Sequence, residues 1–531
     1  MNSYSAFDLS QDPPVVTVPR DYNVAVDFVD RRVEEGFAGK VAFIDDHGSL
    51  TYGELLADVN RFGNALRDLG LQAEQRVLLL QLDGTDFPIA FFGAIKAGMV
   101  AVPVNTLLTT DDYNYMLRDS RARALVVSAD LLAVVAPILD QLPDLQHVIV
   151  TGEADGVEDG GGHMTMAALL KDAGAELTAA ATSADDVAFW LYSSGSTGRP
   201  KGAPHLQSDM IHTAVLYGMG VLGIRADDVV YSAAKLFFAY GLGNALTFPM
   251  AVGATAVLMA GRPTPDAVMA RIRDNQATIF YGVPTLYAGI LADESLDRTA
   301  SSPSLRHCVS AGEALPEDVA RRWGERFGVD ILDGIGSTEM LHIFLSNRPG
   351  QIRHGSTGLP VPGYRCRVTD DTGAEAARGE IGELLVSGPS SAPYYWNNRE
   401  KSIAMFEGSW TRTGDKYIRD ADGYYIYAGR SDDMLKVGGI WVSPFEVESA
   451  LMAHDGVLEA AVVGHADQDG LIKPKAFVVL KAGGGGDEKA AELQQFVKDR
   501  LAPYKYPRWI AFAEELPKTA TGKIQRFKLR D

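Results

Sequence analysis

A stretch rich in glycine and hydroxyl side chains, 192–202, follows an apolar run typical of a strand, 187–191. Glycine lets backbone N–H groups approach phosphate oxygens closely, hydroxyls donate further hydrogen bonds, and Lys201 supplies a positive charge. The stretch therefore predicts a phosphate-binding loop. It does not match the Walker sequence, because no glycine stands immediately before Lys201, and this disfavours a P-loop kinase or ATPase. The candidate phosphate ligands are Ser193, Ser194, Gly195, Ser196, Thr197, Gly198 and Lys201.

The C-terminal segment is basic. Residues 498–531 contain nine Lys and Arg against four Asp and Glu, a difference of +5 in a chain whose net charge is -20. A solvated surface and a docking face for polyphosphate both stay open. The acidic whole opposes sequence-independent attraction to nucleic acid or to an anionic membrane, so we expect neither as a partner.

The loop at 192–202 resembles the phosphate loop of the acyl-adenylate-forming superfamily, which contains acyl-CoA synthetases, luciferases and the adenylation domains of peptide synthetases. The resemblance covers nearly the whole chain. Further matching stretches, in the family's order, lie at 310–313, 333–339, 413–415, 429–433 and 517–523. The resemblance implies an α/β fold in two units. A large N-terminal body of mostly parallel sheets flanked by helices would span 1–430, and a small, mobile α+β domain would span 431–531.

The resemblance assigns most of these stretches to MgATP. Glu339 would ligate Mg2+, a hard cation that takes one or two protein oxygens and completes its shell from water and phosphate. Thr338 would hold an α-phosphate oxygen beside it, and Asp415 would accept hydrogen bonds from the ribose hydroxyls with help from Arg430. By residue type alone, Glu339 could be a helix cap and Asp415 a turn residue. The other implied ATP-binding residues are Gly312, Glu313, Asp333, Gly334 and Ile335.

Lys523 stands in the last matching stretch and resembles the family's catalytic lysine. When a carboxylate attacks the α-phosphate, two anions approach each other, and an ammonium that touches both offsets their repulsion in the transition state. Related enzymes have a hinge at 430–432, which makes Asp432 the predicted pivot of the C-terminal domain. Gly439 would leave room for the pantetheine arm of coenzyme A, although a simple turn there stays open.

Segments 235–244 and 339–344 resemble, among the superfamily, the acid-binding segments of benzoate-CoA ligases. Aromatic and aliphatic walls with small residues between them would hold a ring rather than a long alkyl chain. His342 would close this slot by a polar contact, and core packing is the alternative role. The predicted acid-site residues are Phe238, Ala239, Tyr240, Gly241, Gly336, His342 and Ile343.

The segments between these motifs must position them. Short runs rich in Val, Leu and Ile, as at 77–80, 124–127 and 147–150, alternate with longer segments of helical period. This alternation predicts parallel sheets with helices on both faces. The 531 residues, 46% hydrophobic and 22% charged, have the composition of an ordinary globular protein.

Cellular location can be argued from two further features. The two cysteines, Cys308 and Cys366, exclude a disulfide framework and favour a reducing compartment. The N-terminal residues lack the basic and apolar regions of a secretory signal, so we expect a cytoplasmic protein. The uncharged stretch 236–261 exceeds the roughly 18 residues that flag a membrane span. Because Pro249 and several glycines interrupt it, we expect a buried core or a pocket wall instead.

The sequence thus predicts an ATP-dependent ligase that joins benzoate, or a small ring-substituted benzoate, to coenzyme A through an acyl-adenylate, in aromatic compound degradation. The alternatives are a ligase for hydroxybenzoate, 2-aminobenzoate or another small acid, and a carrier-loading adenylation enzyme. A non-catalytic nucleotide-binding protein is disfavoured because both Lys523 and Glu339 are present. A homodimer and regulatory acetylation of Lys523 stay open.

Replacing Lys523 by Ala should abolish adenylate formation and affect thioester formation from supplied acyl-adenylate much less. Loss of a positioned charge commonly costs about 100-fold or more in rate. The two half-reactions are measured separately, by ATP-pyrophosphate exchange and by CoA consumption from acyl-adenylate. Equal losses in both would refute the assignment.

Overall fold

The computed structural model describes residues 4–152, 163–193, 199–437, 440–468, 471–518 and 524–530. Within these ranges, a first sheet is parallel except for a hairpin at one edge. Side chains on both faces are buried, as expected for a parallel sheet covered on both sides. Its strands, in order across the sheet, are Lys201–Leu206, Val187–Ser193, Val100–Pro103, Arg76–Leu80, Ala124–Ser128, His147–Thr151 and His163–Thr165.

A second sheet lies beside the first and is parallel through its centre, with antiparallel strands at both ends. At one end, Ile331–Gly336 turns back into Ile343–Ser346. Its strands, in order, are Leu359–Pro360, Ile343–Ser346, Ile331–Gly336, His307–Ser310, Ile279–Gly282, Val229–Ser232, Thr255–Val257, Val41–Ile44 and Ser49–Thr51.

Helices cover both faces of these sheets. Tyr52–Asp68, which starts in a capping box formed by Thr51 and Glu54, packs with the almost wholly buried Asp86–Lys96 into the main core. Thr110–Ser120 covers the far face of the first sheet, and Glu317–Phe327 covers that of the second. The other α-helices are Ala129–Val135, Met166–Asp172, Asp209–Thr213, Ala239–Leu242, Phe248–Val252, Pro265–Asp274, Pro284–Ala292, Arg399–Met405, Pro444–Met452 and Asp487–Lys498.

An antiparallel third sheet follows the second in the chain, and a smaller α+β unit follows the third sheet. In the small unit, the helices Pro444–Met452 and Asp487–Lys498 pack on a sheet of their own. The strands of the third sheet are Arg365–Thr369, Ile381–Ser387, Phe406–Glu407, Trp410–Arg419 and Tyr425–Arg430. Those of the small unit are Leu435–Val437, Ile440–Val442, Val457–Ala466, Ile472–Leu480 and Trp509–Phe512.

Shorter elements complete the described chain. The hairpin Ala6–Asp8 with Val15–Thr17 lies at the N-terminus. Single-turn π-helices are Val26–Asp30, Val33–Phe37, Ala214–Met219 and Gly243–Thr247, and 3-10 turns are Ala136–Gln141, Arg298–Ala300 and Arg526–Leu529.

Basic side chains of the C-terminal segment are engaged in ion pairs. Arg526 makes a two-pronged contact, at 3.0 and 2.7 Å, with the buried carboxylate of Glu448, and Lys505 lies 2.6 Å from Glu446. Lys518 pairs with Glu459 at 2.5 Å. These pairs hold the segment to the small unit and neutralise three of its nine positive charges locally.

The fold confirms the predicted α/β class and the parallel sheets with helices on both faces. The stretch 236–261 contains the short helices Ala239–Leu242 and Phe248–Val252 and a buried strand. Among the described helices, none combines the length and apolarity that crossing a membrane requires.

Candidate functional site

The predicted phosphate loop joins the two strands of the edge hairpin in the first sheet. Ser193 ends one strand and pairs with Lys201, which begins the other. Ser194, Gly195, Ser196, Thr197 and Gly198 lie outside the described residues, as do Gly439 and Lys523. The ends of the hairpin therefore fix where the loop starts and stops, at the carboxyl edge of the sheet.

Lys201, Tyr395 and Glu339 form a short polar chain beside this loop. The Lys201 ammonium lies 3.4 Å from the Tyr395 hydroxyl and 4.5 Å from its ring centre, and the hydroxyl donates to Glu339 Oε1 at 2.5 Å. Burial lowers the pKa of Lys201, and the nearby Glu339 carboxylate partly offsets this. Burial and the same carboxylate raise the pKa of Tyr395. The tyrosine therefore stays protonated and aims its hydrogen at the predicted metal ligand.

A buried histidine supports the backbone beside Glu339. His205 Nε2 lies 2.8 Å from the carbonyl oxygen of Thr338, and its Nδ1 lies 3.0 Å from the carboxylate of Asp209. The ring also stacks on Phe189. Because His205 and Asp209 are both buried, this pair fixes the backbone position of Thr338, the predicted α-phosphate residue.

Asp333 lies in the strand Ile331–Gly336, on the same hairpin as Glu339. Burial holds the pKa of this carboxyl well above its usual range. Within the described ranges, its Oδ1 atom has no hydrogen-bond partner. A buried carboxyl of this kind suits a polar group brought by a ligand. Ile335, two residues further, packs against the main core.

Asp415 and Arg430 face each other across two paired strands of the third sheet. Their register places them opposite, and the guanidinium lies 3.1 Å from Asp415 Oδ1. Asp415 is almost fully buried, so Arg430 compensates its charge and fixes its orientation. The predicted pivot, Asp432, is an exposed turn residue immediately after this strand.

The small unit contacts the body at the predicted nucleotide site. Glu313, which follows Gly312 in a turn with a φ of +93°, accepts a hydrogen bond from the backbone N–H of Ile524 at 3.2 Å. Ile524 follows Lys523 directly in the chain. Tyr427 of the third sheet also packs edge-on against Phe445 of the small unit.

The predicted acid-site residues come together between the helix Ala239–Leu242 and the strand Ile343–Ser346. The Tyr240 hydroxyl lies 3.2 Å from the carbonyl oxygens of Gly282 and Val309. His342 Nε2 lies 3.1 Å from Asn244 Oδ1 and 3.3 Å from the Tyr240 carbonyl oxygen, so it carries the hydrogen. Burial lowers the pKa of His342 to about 3. The ring is therefore neutral, and its Nδ1 has no partner among the described residues.

Two glycines of this region owe their identity to backbone packing. A Cβ on Gly241 would lie 2.0 Å from the Lys235 carbonyl oxygen, and one on Gly336 would lie 2.5 Å from that of His342. Real Cβ contacts are never this close. The space beside these glycines is thus filled by protein backbone. Ala239 and Phe238 are half-buried, and Ile343 is buried.

Sequence reasoning missed Tyr395, His205 and Asp209. Tyr395 stands 194 residues from Lys201 in the chain, and it reaches the site because Ala392 and Trp396 make backbone hydrogen bonds to Glu339 and Gly202. The aromatic run 394–396 was the available signal. No pattern in the sequence connects it to the phosphate loop.

The fold and this site define an enzyme that binds AMP. A family model of AMP-binding enzymes matches residues 30–396, and one of the AMP-binding enzyme C-terminal domain matches 446–523. The chain belongs to the AMP-binding enzyme family. Neither match reaches residue 430, so the predicted domain boundary stays a prediction.

Within this family, the chain is similar to ligases of aromatic acids. It is 61% identical over the whole of both chains to the benzoate-CoA ligase of Thauera aromatica. It is 53% identical to the 4-hydroxybenzoate-CoA/benzoate-CoA ligase of Rhodopseudomonas palustris, over 96% of this chain and 94% of that protein. The crystal structure of an anthranilate CoA ligase in complex with anthranoyl-AMP superposes with a TM-score of 0.93 at 46% identity, covering 96% of this chain and 97% of that one.

Replacing Tyr395 by Phe should slow adenylate formation about tenfold or more, because a hydrogen bond to a charged group contributes about 1.5 to 3 kcal/mol. ATP-pyrophosphate exchange measures this rate. The exposed neighbour Tyr394 provides the control, and Tyr394→Phe should exchange at the rate of the unmodified protein. Equal rates in the two variants would remove Tyr395 from the site.

Proposed function

We propose that this protein ligates benzoate to coenzyme A in two half-reactions. The benzoate carboxylate attacks the α-phosphorus of ATP and displaces pyrophosphate, which gives benzoyl-adenylate. The thiolate of coenzyme A then attacks the acyl carbon and displaces AMP, which gives the thioester. The observation that carries this proposal is the 61% identity, over both complete chains, to a benzoate-CoA ligase.

The site geometry supports the first half-reaction. Tyr395 donates to Glu339 on one side and contacts Lys201 on the other, which holds a carboxylate for a metal ion and an ammonium for a phosphate beside the phosphate loop. We propose that Arg430 orients Asp415 toward the ribose and that Thr338, held by His205, contacts the α-phosphate. Ile524, the residue that follows Lys523 in the sequence, contacts Glu313 of the predicted nucleotide site, and this contact supports Lys523 as the catalytic lysine.

Mg2+ fits the donor set. Among the described residues there is no cluster of three or more His, Cys, Asp or Glu side chains, and a magnesium ion held mainly by phosphate and water needs only one or two carboxylates. Glu339 is buried, and its orientation is fixed by Tyr395, so it suits that role. The ion would neutralise phosphate charge as it develops.

Hydroxybenzoate and 2-aminobenzoate are the second candidates. Nδ1 of the neutral His342 can accept a hydrogen bond from a ring hydroxyl or amino group, since it has no partner within the described ranges. The relatives named for 4-hydroxybenzoate and anthranilate support this alternative. A carrier protein as acceptor in place of coenzyme A is a further alternative.

Other expectations stay proposals. The free thiols of Cys308 and Cys366 support a reducing, cytoplasmic location. Asp432, exposed between the third sheet and the small unit, suits a pivot, and movement there would release the contact between Glu313 and Ile524. A domain boundary at 430/431, a role for Gly439 at the pantetheine arm, a homodimer and regulatory acetylation of Lys523 stay predictions.

An acid panel tests the function. ATP-pyrophosphate exchange is measured with benzoate, its 2-, 3- and 4-hydroxy derivatives, 2-aminobenzoate and short aliphatic acids, and thioester formation is then measured with coenzyme A. We expect kcat/KM to be highest for benzoate, with coenzyme A as acceptor. Exchange with aliphatic acids alone would refute the proposal, and adenylate that reacts with no free coenzyme A would favour a carrier-loading enzyme.

Enlarging Ala239 to Leu should lower kcat/KM for benzoate by about 10-fold or more and affect short aliphatic acids less. The added methyl groups compete with the ring for space, and over-packing typically costs about 1 to 3 kcal/mol. Ala288→Leu, a half-buried alanine in the helix Pro284–Ala292 on the outer core, is the control for a general folding defect. An unchanged preference between acids would remove Ala239 from the acid site.

A further inference from the structure

Asp83 is a buried carboxylate outside the residues considered so far. It follows the strand Arg76–Leu80 at the carboxyl edge of the first sheet and is 5% exposed. Its Oδ1 accepts the backbone N–H of Leu236 at 3.1 Å. Leu236 follows the strand Val229–Ser232 and so lies at the carboxyl end of a strand in the second sheet. The contact therefore joins the carboxyl edges of the two sheets.

Lys235, next to this contact, is fixed by its own side chain. Its ammonium donates to the carbonyl oxygens of Gly261 at 2.8 Å, Ala260 at 3.3 Å and Met259. Burial raises the pKa of Asp83 to about 6, and the charge of Lys235 opposes the shift. Burying a charge costs less where it is hydrogen-bonded, and the three carbonyl oxygens meet this condition for the Lys235 ammonium.

Residues 235–242 form one tightly folded segment. The Phe238 N–H donates to the Lys235 carbonyl oxygen at 3.1 Å, and the Leu242 N–H donates to that of Phe238 at 2.8 Å. The Lys235 carbonyl oxygen also occupies the position where Gly241 would carry a side chain. A displacement at Leu236 would therefore move Phe238, Ala239 and Tyr240, because backbone hydrogen bonds and close packing connect these residues.

We propose that Asp83 is a positioning residue for the acid site, which anchors the start of segment 235–242 and so holds the wall that contacts the aromatic ring. The inference rests on the proposed function, since it takes this segment as the wall of the acid pocket. Asp83 acts through the backbone of Leu236 and through Lys235, and it does not touch the substrate. Its loss should weaken acid binding selectively, because the ATP residues lie on other elements.

Steady-state kinetics on three variants test this. Asp83→Ala removes the acceptor and should raise the KM for benzoate at least tenfold while the KM for ATP changes less than threefold. Asp83→Asn keeps an acceptor oxygen of the same size and should recover most of the benzoate KM. Lys235→Met removes the ammonium and leaves Asp83 unchanged. It should also raise the benzoate KM, and it therefore tests the anchor even if the Asp83 variants do not fold.

Asp228 provides a matched control at the opposite end of the strand Val229–Ser232. It is also a buried carboxylate that accepts a backbone N–H, from Arg225 at 2.8 Å, and it faces the cation of Arg306. Asp228→Ala should lower the melting temperature and leave the ratio of the benzoate and ATP KM values unchanged. A similar shift of that ratio in Asp228→Ala would show a general effect and overturn the proposal.

The remaining outcomes separate this proposal from the proposed function. If the unmodified protein turns over another acid of the panel and not benzoate, the proposed substrate is wrong. The same KM comparison is then made with that acid. If Asp83→Ala keeps the acid KM, or raises the acid and ATP KM values by one factor, the positioning role is wrong. Should the Asp83 variants fail to fold, an unchanged acid KM in Lys235→Met overturns it.

Discussion

The site depends on how closely two strands approach each other at Gly336. The strand Ile331–Gly336 turns back into Ile343–Ser346 so tightly that a Cβ on Gly336 would lie 2.5 Å from the carbonyl oxygen of His342. The turn also places Leu341 at a φ of +66°, where non-glycine residues are uncommon. This hairpin carries Asp333, Glu339 and His342 together. The residues predicted to bind the nucleotide and those predicted to bind the acid are therefore held in a fixed relation to each other.

Most of the buried polar groups around this hairpin have a partner from another part of the chain. Glu339 accepts a hydrogen bond from the Tyr395 hydroxyl, and Asp415 is paired with Arg430. His205 is hydrogen-bonded to the carbonyl oxygen of Thr338. Each partner comes from a different part of the chain, so the body must be folded before the charges are compensated. Asp333 is the exception in the described structure, since one of its oxygens has no partner there. Preorganised polar groups of this kind favour catalysis of a reaction between anions.

Local structure could be predicted well from the sequence. The apolar runs at 77–80, 124–127 and 147–150 lie within the strands Arg76–Leu80, Ala124–Ser128 and His147–Thr151. The phosphate loop was predicted to follow a strand, and Val187–Ser193 confirms it. Whether Gly241 and Gly336 leave room for the aromatic ring could not be predicted from the sequence. Sequence shows that a side chain is absent, but only the fold shows that the carbonyl oxygens of Lys235 and His342 take its place.

By itself, the sequence determined the fold class and, through its resemblance to the acyl-adenylate-forming superfamily, the kind of reaction, because these depend on short-range patterns and on motifs contiguous in the chain. Only the tertiary structure decided that Tyr395 links Lys201 to Glu339, that His205 supports Thr338, and that Asp83 reaches Leu236. The residues of these contacts stand 56 to 194 positions apart in the chain. Such contacts arise from the order of strands in two sheets, and no local periodicity encodes which distant side chains that order brings together.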